Sequence, residues 1–260
     1  MSNFFTNAFR GFNTVFHYQG LWTAMRDVFF RTLRLLKIFS CNDVIYFVSG
    51  MFKDPVCVRL GTSDAVVFGD IFDLKEYGLC EKINASFIID GGGNVGYSAI
   101  HFYHQFPSAQ ILVVEPDEEN YKRCLQNLKS YQDRCHIVNA AIWSEKTNLK
   151  LKESTDNLSW GIRVELPKAD EHSDVQTTTI PDLMEEYDFP RIDLLKLDVE
   201  WAELNIFKYN YEKWLPKTKN IVIELHDDEC KQVFLDALKG FRYDLEIQGA
   251  VAFCQNLQKV

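Results

Sequence analysis

The sequence predicts an α/β fold with a mostly parallel sheet covered by helices on both faces. Short apolar runs, such as "FIID" at 87–90 and "ILVV" at 111–114, alternate with amphipathic helical segments from residue 86 onward. Parallel strands buried on both faces consist of such runs and are joined by crossover helices. A glycine-rich turn directly follows the first of these strands, which is where open α/β sheets bind their ligands.

Each element of this pattern follows from its own local signal. The apolar runs predict the strands, and the amphipathic stretches between and after them predict the helices. The predicted strands are 86–90, 110–115, 136–142, 192–198 and 220–225, and the clearest helices are about 95–105 and 117–130.

We expect two regions, an N-terminal helical segment over residues 1–55 and a cofactor-binding domain over residues 56–260. The helical segment contains "LWTAMRDVFFRTLRLLKIF", which has no proline or glycine and carries basic residues among apolar ones. Residues 55–77 contain short β-rich runs around a Gly-Thr-Ser-Asp turn and predict a small β element. Residues 144–178 are polar and predict a hairpin or a flexible insertion.

Composition and charge exclude some classes of function. The 260 residues are 47% hydrophobic and 25% charged, as is usual for a folded protein. A net charge of -9 argues against general binding to nucleic acid, which requires a concentrated basic surface. The seven cysteines include no C-x-x-C pair, which favours free thiols in a reducing compartment, and we expect a cytoplasmic protein.

The turn "DGGGNVG" at 90–96 fits two nucleotide-binding patterns. Gly91, Gly93 and Gly96 match the G-x-G-x-x-G fingerprint of dinucleotide-binding folds. The alternative register, which starts at Asp90, matches the D-x-G-x-N-x-G variant of the loop that binds S-adenosylmethionine. In both registers glycine lets the backbone approach the ligand, and the N-terminus of the next helix favours the anionic group of that ligand.

Glu115 ends the next predicted strand, about 20 residues beyond the loop, where an acid can accept hydrogen bonds from ribose hydroxyls. Both cofactors contain such a ribose, so other features have to distinguish them. Asp90 would face a pyrophosphate unfavourably, but it can accept hydrogen bonds from the loop or from the cofactor's ammonium group. The Y-x-x-x-K match at Tyr209–Lys213 lacks the serine and the glycine spacing of short-chain dehydrogenases. These features favour S-adenosylmethionine.

A second group of polar residues ends two later strands. Asp198 and Glu200 alternate at the end of "IDLLKLDVE", so both can face one side of the chain. "IVIELHDD" repeats the arrangement with Glu224, His226 and Asp227. Because parallel strands end at one edge of the sheet, we expect Asp198, Glu200 and His226 to meet at the rim of the cofactor site. Some of these acids should instead cap helices or bind backbone amides.

Five stretches together resemble the FkbM family of S-adenosylmethionine-dependent methyltransferases: "FIIDGGGNVGYSA", "VVEPDEENYKRCLQNL", "VNAAIW", "DLLKLDVEWAE" and "IVIELH". The resemblance covers roughly residues 58–226, and the combination is specific although no single motif is. It implies a Rossmann-like class I methyltransferase fold with a mostly parallel seven-stranded sheet, here with an N-terminal helical extension. Trp201 stands where the family usually has glycine, and it should alter the acceptor pocket or its entrance.

The resemblance implies O-methylation of a hydroxyl on a sugar or natural-product scaffold, by in-line attack of the acceptor oxygen on the methyl group. His226 is the first candidate for the base, because an unperturbed histidine titrates near working pH. Asp198 and Glu200 would hold the cofactor's methionine end and the acceptor, and they complete the candidate catalytic set. The candidate cofactor-binding residues are Asp90, Gly91, Gly92, Gly93, Asn94, Gly96, Glu115, Pro116, Asn139, Ala140 and Asp198.

Other interpretations stay open on the sequence alone. No metal ligand is assigned, but Mg²⁺ held by oxygen ligands is an alternative, with candidates Asp198, Glu200, Glu224 and Asp227. An NAD(P)-dependent oxidoreductase and a non-catalytic Rossmann-like binding module are the alternative functions. As partners we expect a small-molecule or glycan acceptor, no nucleic acid, and a second subunit as an open option. The basic helix would suit an anionic membrane surface, but packing on the domain or on a partner subunit is the favoured interpretation because its apolar side is broad.

Overall fold

The computed structural model describes residues 43–152, 163–165, 173 and 175–260. The predicted N-terminal helix, on which the membrane hypothesis rests, lies outside these residues. The chain divides into two compact units, one ending at Gly78 and the other comprising Leu79–Val260. The boundary expected between residues 55 and 56 stays a prediction. Among the helices of the described residues, none has both the length and the apolar character needed to cross a membrane.

The first unit contains an antiparallel strand pair and a helix: β1 (Val44–Phe47), β2 (Val56–Arg59) and α1 (Asp64–Phe72). Arg59 donates to both carboxylate oxygens of Asp64 at 2.8 Å, which joins the end of β2 to the start of α1. The β-rich prediction for residues 55–77 is right for β2 and wrong for α1. Asp64 lies in the first helical turn, where a carboxylate is favourable, and it stabilises a helix in a run rich in β-branched residues.

The second unit alternates strands and helices in the predicted manner. Its strands are β3 (Phe87–Gly91), β4 (Gln110–Val114), β5 (Cys135–Val138), β6 (Ala141–Ile142), β7 (Asn148–Lys152), β8 (Arg163–Glu165), β9 (Val175–Thr178), β10 (Leu194–Leu197), β11 (Ile221–Glu224), β12 (Phe241–Gln248) and β13 (Val251–Lys259). Its α-helices are α2 (Tyr97–Gln105), α3 (Glu118–Asn127), α4 (Ile180–Glu186), α5 (Glu203–Lys208) and α6 (Asp228–Ala237). Short 3₁₀ helices are Gly78–Lys82, which begins in the first unit, Lys129–Tyr131, Tyr211–Lys213 and Leu215–Lys217.

The central sheet has seven strands in the order β12-β13-β11-β10-β3-β4-β5. β3, β4, β5, β10 and β11 are parallel, and β13 is antiparallel to both of its neighbours. Six strands therefore run in one direction and only β13 runs in the other, which confirms the predicted fold class. Most apolar residues of β3, β4, β10 and β11 are buried, as the continuous runs predict; Ile88, Ile111 and Leu195 are examples.

Polar residues directly after strands or short connections start several helices of this unit. The side chain of Asp117 accepts from Asn120 N at 2.8 Å and caps α3. In the same way Asp227 accepts from Cys230 N at 2.8 Å and caps α6. Such caps satisfy backbone donors that the helix itself leaves free. Asp227 is thus one of the predicted site acids, and its role in the structure is to cap a helix.

The strand predicted over residues 136–142 is wrong as one element, because it divides into β5 and β6. The Asn139 side chain donates to the Glu115 carbonyl at 2.9 Å and to the Pro116 carbonyl at 3.2 Å, and the chain leaves the central sheet there. β6 then joins a separate sheet of order β6-β9-β7-β8. The antiparallel pairing of β7 with β8 confirms the predicted hairpin within residues 144–178.

Candidate functional site

The candidate site lies at the carboxyl ends of β3 and β10, where the chain reverses its order across the sheet. From β3 the chain proceeds outward through β4 to β5, and it later returns to β10 on the other side of β3. Crevices at such a reversal are the usual ligand sites of open α/β sheets. The glycine-rich loop follows β3 directly, and Asp198 follows β10.

The backbone of the loop distinguishes the two registers of its motif. Gly92, Asn94 and Gly96 have φ values of +74°, +47° and +91°, in the region that glycine and asparagine tolerate best. Gly91 and Gly93, which the dinucleotide register needs, have no positive φ. The left-handed positions therefore coincide with the D-x-G-x-N-x-G register.

Close packing also excludes side chains from this loop. A Cβ on Gly92 would lie 1.8 Å from the carbonyl oxygen of Asp198, and one on Gly93 would lie 2.1 Å from Cγ1 of Val113. The backbone of the loop thus lies directly against the end of β10 and against β4. An exposed turn would have room for side chains at these positions. Residues 92 and 93 have to be glycine because the loop is packed against neighbouring strands.

Glu115, at the end of β4, is 5% exposed and faces the loop. Its Oε2 accepts from Asn94 N at 2.8 Å and its Oε1 accepts from Asp117 N at 3.0 Å. Burial raises the pKa of Glu115 to about 7, although the N–H groups of Asp117 and Asn94 lower it. Each carboxylate oxygen has a second lone pair, so the group can accept further hydrogen bonds from a ligand.

Asp90 lies at the end of β3 and is completely buried. Ser98 on α2 donates to its Oδ2 at 2.6 Å, and the Nζ of Lys196 lies 3.2 Å from its Oδ1. The prediction that Asp90 accepts from the loop or from the cofactor stays a prediction. Its two observed partners, Ser98 and Lys196, join β3 to α2 and to β10 beneath the loop.

Asp198, Glu224 and His226 come together at the rim, with one ligand atom of each within 4.8 Å of the others. Burial and the nearby Asp198 carboxylate raise the pKa of Glu224 above its usual range. Burial alone would lower the pKa of His226, but the surrounding carboxylates of Glu203, Glu224 and Glu200 raise it. The imidazole therefore keeps its proton at neutral pH, so the cluster is a group of acids around one cation.

Trp201 occupies the rim next to this cluster. Its ring is stacked on the His226 ring, with centroids 5.5 Å apart and planes 16° apart. Trp201 has φ of +77° and Glu200 has φ of +48°, which are conformations that glycine adopts more readily. The tryptophan thus has a backbone conformation that suits glycine, the family's usual residue here, and it adds an aromatic surface beside the histidine.

The structure brings most of the predicted residues to one edge of the sheet. Asp198, Glu200, Glu224 and His226 are half-buried there, and Asp227 is exposed at the cap of α6.

Of the predicted adenine contacts, Asn139 is exposed near Glu115 and Pro116, and Ala140 is 6% exposed in the apolar core beside the site. Their parts in binding the cofactor stay predictions.

Sequence reasoning did not single out Lys196 or Glu203. Both are 2% exposed, and Glu203 accepts from Val199 N at 2.8 Å. A signal was present for the lysine, because "LLKL" has one charged residue inside an otherwise apolar strand, and lysine is almost never fully buried without a partner. For Glu203 no such signal exists, since a glutamate in the first turn of a helix is usually exposed.

The sequence profile described as "Methyltransferase FkbM domain" matches residues 90–245. The chain belongs to the FkbM methyltransferase family. Methyltransferase sdnD of Sordaria araneosa is 27% identical in an alignment of 214 residues that covers 67% of this chain and 81% of that protein. The 2-O-methyltransferase NoeI of Sinorhizobium fredii (strain NBRC 101917 / NGR234) is 27% identical in an alignment of 175 residues that covers 59% of this chain and 71% of that protein.

Among solved structures, the METTL16 MTase domain matches with a TM-score of 0.45 and 14% identity, covering 91% of this chain and 80% of that one. The fold assignment rests on the strand order of this chain itself. Together with the family, it identifies an S-adenosylmethionine-dependent methyltransferase, and neither an NAD(P)-dependent oxidoreductase nor a binding module is favoured.

The residues present fit S-adenosylmethionine. Gly92, Asn94 and Gly96 have the left-handed conformations expected of the D-x-G-x-N-x-G loop. Glu115 offers a buried carboxylate one strand away, where a ribose would lie. The carboxylates of Asp198 and Glu224 make the rim acidic, which suits a cationic ligand better than a pyrophosphate.

Gly92→Ala should remove the native loop, because the new Cβ would meet the Asp198 carbonyl at a positive φ. We expect the free energy of unfolding to fall by roughly 3 kcal/mol or more, measured by urea unfolding. Gly240→Ala is the matched control, since Gly240 has φ of +87° and nothing lies within 4 Å of its Cβ position. It should cost only about 1 kcal/mol. Equal losses in both variants would contradict the close approach at Gly92.

Glu115 should make stability depend on pH. The folded-state pKa is about 7 against an ordinary 4.5, so the folded protein binds more protons between these values, and stability falls as pH rises through them. Relative to Glu115→Gln, the wild type should lose up to about 3 kcal/mol between pH 5 and pH 8. Urea unfolding at both pH values measures the difference. Glu118 is 72% exposed, so the same comparison with Glu118→Gln should show no such loss. If the wild type differed from both variants in the same way, the pH dependence could not be assigned to the buried carboxyl of Glu115.

Proposed function

We propose that the protein methylates a hydroxyl group of a small molecule or glycan, with the acceptor bound at the rim formed by Asp198, Glu200 and His226. The observation that carries the proposal is the glycine loop set against β10, with Glu115 facing it from β4 and the acid–histidine cluster at the adjacent strand ends. Relatives named as methyltransferases, one of them a 2-O-methyltransferase, support a hydroxyl acceptor.

The residues divide into two groups by position. Glu115 is proposed to bind the ribose, Asn139, Ala140 and Pro116 to border the adenine, and the loop to bind the methionine carboxylate at the start of α2. Asp198 and Glu200 are proposed to hold the cofactor's ammonium and the acceptor. When bound, S-adenosylmethionine supplies the reactive methyl group.

The acceptor's proton is proposed to enter the cluster of Asp198, Glu224 and His226. In the free protein the imidazole already carries a proton, so this proton has to move to a neighbouring carboxylate before His226 can act as base. Glu224 can receive it in its carboxylate form, which becomes populated as the pH rises toward the pKa of Glu224; burial and Asp198 raise that pKa to about 8. The carboxylates then stabilise the imidazolium that forms when the acceptor loses its proton.

A divalent cation is the alternative occupant of the same cluster. Asp198, Glu224 and His226 have suitable spacing for one ion, and a site with a histidine suits Mn²⁺ or Zn²⁺ better than Mg²⁺. Assays after dialysis against a chelator separate the two roles. Retained activity assigns the cluster to proton transfer, and a loss that added metal restores assigns it to the metal.

Compartment and assembly also belong to the proposal. The described residues include six cysteines, all buried and with free thiols, which supports a reducing, cytoplasmic setting. A homodimer is an open part of the same proposal, and size-exclusion chromatography with light scattering measures it directly.

Calorimetric titration should show micromolar binding of S-adenosylhomocysteine and none of NAD(H) or NADP(H). Glu115→Ala should weaken binding by about 1 kcal/mol or more, because it removes hydrogen bonds to the ribose. Glu118→Ala should leave it unchanged, since Glu118 is exposed and pairs with Lys122 on α3. Binding of a nicotinamide cofactor in place of S-adenosylhomocysteine would overturn the proposal.

His226→Asn should lower kcat by roughly 10²–10⁴-fold, which is what a general base contributes. Affinity for S-adenosylhomocysteine should stay within about twofold of wild type, since the histidine serves the acceptor. Methyl transfer to a panel of sugars, polyketides and phenols provides the assay. His136→Asn, at an exposed position of β5, is the control. Full activity of the His226 variant on an acceptor that the wild type uses would remove His226 from the mechanism.

A further inference from the structure

A buried lysine lies beneath the glycine loop. Lys196, in the middle of β10, is 2% exposed, and Asp90 is its partner across the parallel pair with β3. Its Nζ donates to the Gly92 carbonyl at 2.6 Å and lies 3.2 Å from Asp90 Oδ1. Asp198 Oδ2 is 3.9 Å away. One ammonium group therefore contacts the end of β3, the loop, and the residue that follows β10.

Stability alone does not account for this lysine. Burying an ammonium and a carboxylate requires removing both from water, and an apolar pair of similar volume is often as stable. The rest of β10 is apolar, with Leu194, Leu195 and Leu197 fully buried, so the strand would accommodate an apolar residue at 196. An apolar residue could not donate a hydrogen bond to the Gly92 carbonyl.

The other side of the loop is bound to β4. Gly92 N and Gly93 N both donate to the Val114 carbonyl, at 2.9 and 3.0 Å. The hydrogen bond from Lys196 to the Gly92 carbonyl thus completes the attachment of this peptide from the β10 side. Without it, the Gly92–Gly93 peptide would keep its N–H bound but lose the partner of its oxygen in a partly buried position.

We infer that Lys196 is a positioning residue, which fixes the Gly92 carbonyl and thereby holds the loop in the conformation that binds the cofactor. It acts through the loop and does not itself contact the cofactor. The inference rests on the proposed binding of S-adenosylmethionine at this loop, and it extends that proposal to a residue outside the motif.

The test compares Lys196→Met with the wild type in two measurements. Without ligand, hydrogen exchange of the amides in residues 91–96 should become at least tenfold faster. In titrations, the Kd of S-adenosylhomocysteine should rise at least tenfold, and the KM for S-adenosylmethionine should rise with it while kcat changes less than threefold. Unchanged exchange and affinity in the folded variant would overturn the inference.

Lys219→Met is the control, because it also removes a lysine beside a buried carboxylate, although Lys219 itself is 55% exposed. Lys219 Nζ lies 3.0 Å from Asp193, a carboxylate that is as buried as Asp90 but lies before β10, at the opposite edge of the sheet. This variant should change neither loop exchange nor cofactor affinity. A loss of affinity equal to that of Lys196→Met would reduce the role of Lys196 to general stability, and so would overturn the inference.

The double variant Lys196→Met/Asp90→Asn separates positioning from charge neutralisation. It removes both buried charges, so it should be more stable than Lys196→Met, while loop exchange should stay fast. A return of loop exchange to the wild-type rate would mean that the lysine only neutralises Asp90, and would overturn the inference. Exchange is measured without ligand, so failure of the wild type to bind S-adenosylhomocysteine would count against the proposed function alone.

Discussion

The close approach of the glycine loop to the end of β10 is the constraint on which the site depends. The Gly92 backbone and the Asp198 carbonyl leave no room for a Cβ between them. Because two strands distant in sequence meet there, their end residues are held at fixed positions relative to each other. The loop can therefore bind a ligand tightly only while Asp198, and the chain that follows it, stays at the rim.

Charge at the site is distributed in two layers. Below the loop, Lys196 is compensated by Asp90. At the rim, carboxylates outnumber the single imidazole, and burial together with repulsion from Asp198 raises the pKa of Glu224. Such an arrangement is favourable only if a proton or a cationic ligand relieves the repulsion. The same repulsion therefore favours a sulfonium cofactor over a pyrophosphate. It also favours binding, within the cluster, of the proton that the acceptor would lose.

The parts of the site that could be predicted are those that depend on local pattern and on strand direction. The loop register, Glu115 and the meeting of Asp198 with His226 follow from apolar runs whose carboxyl ends share one edge. The split of residues 136–142 could not be predicted, since it depends on Asn139 binding the carbonyls of Glu115 and Pro116, which follow β4. The position of Lys196 depends in the same way on the register between β10 and β3. Both are contacts between segments distant in sequence, which a single sequence does not specify.

Trp201 shows how a departure from the family pattern can keep the architecture and change the surface. A non-glycine residue in the left-handed region costs roughly 1–2 kcal/mol. The tryptophan nevertheless keeps φ at +77°, because the chain between β10 and α5 is held by Glu203 at Val199 N and by the loop at Asp198. Stacking on the His226 ring offsets part of the strain. Glycine would adopt this backbone conformation more readily, so what the tryptophan adds is an aromatic surface against His226, on the side of the site where the acceptor is proposed to bind.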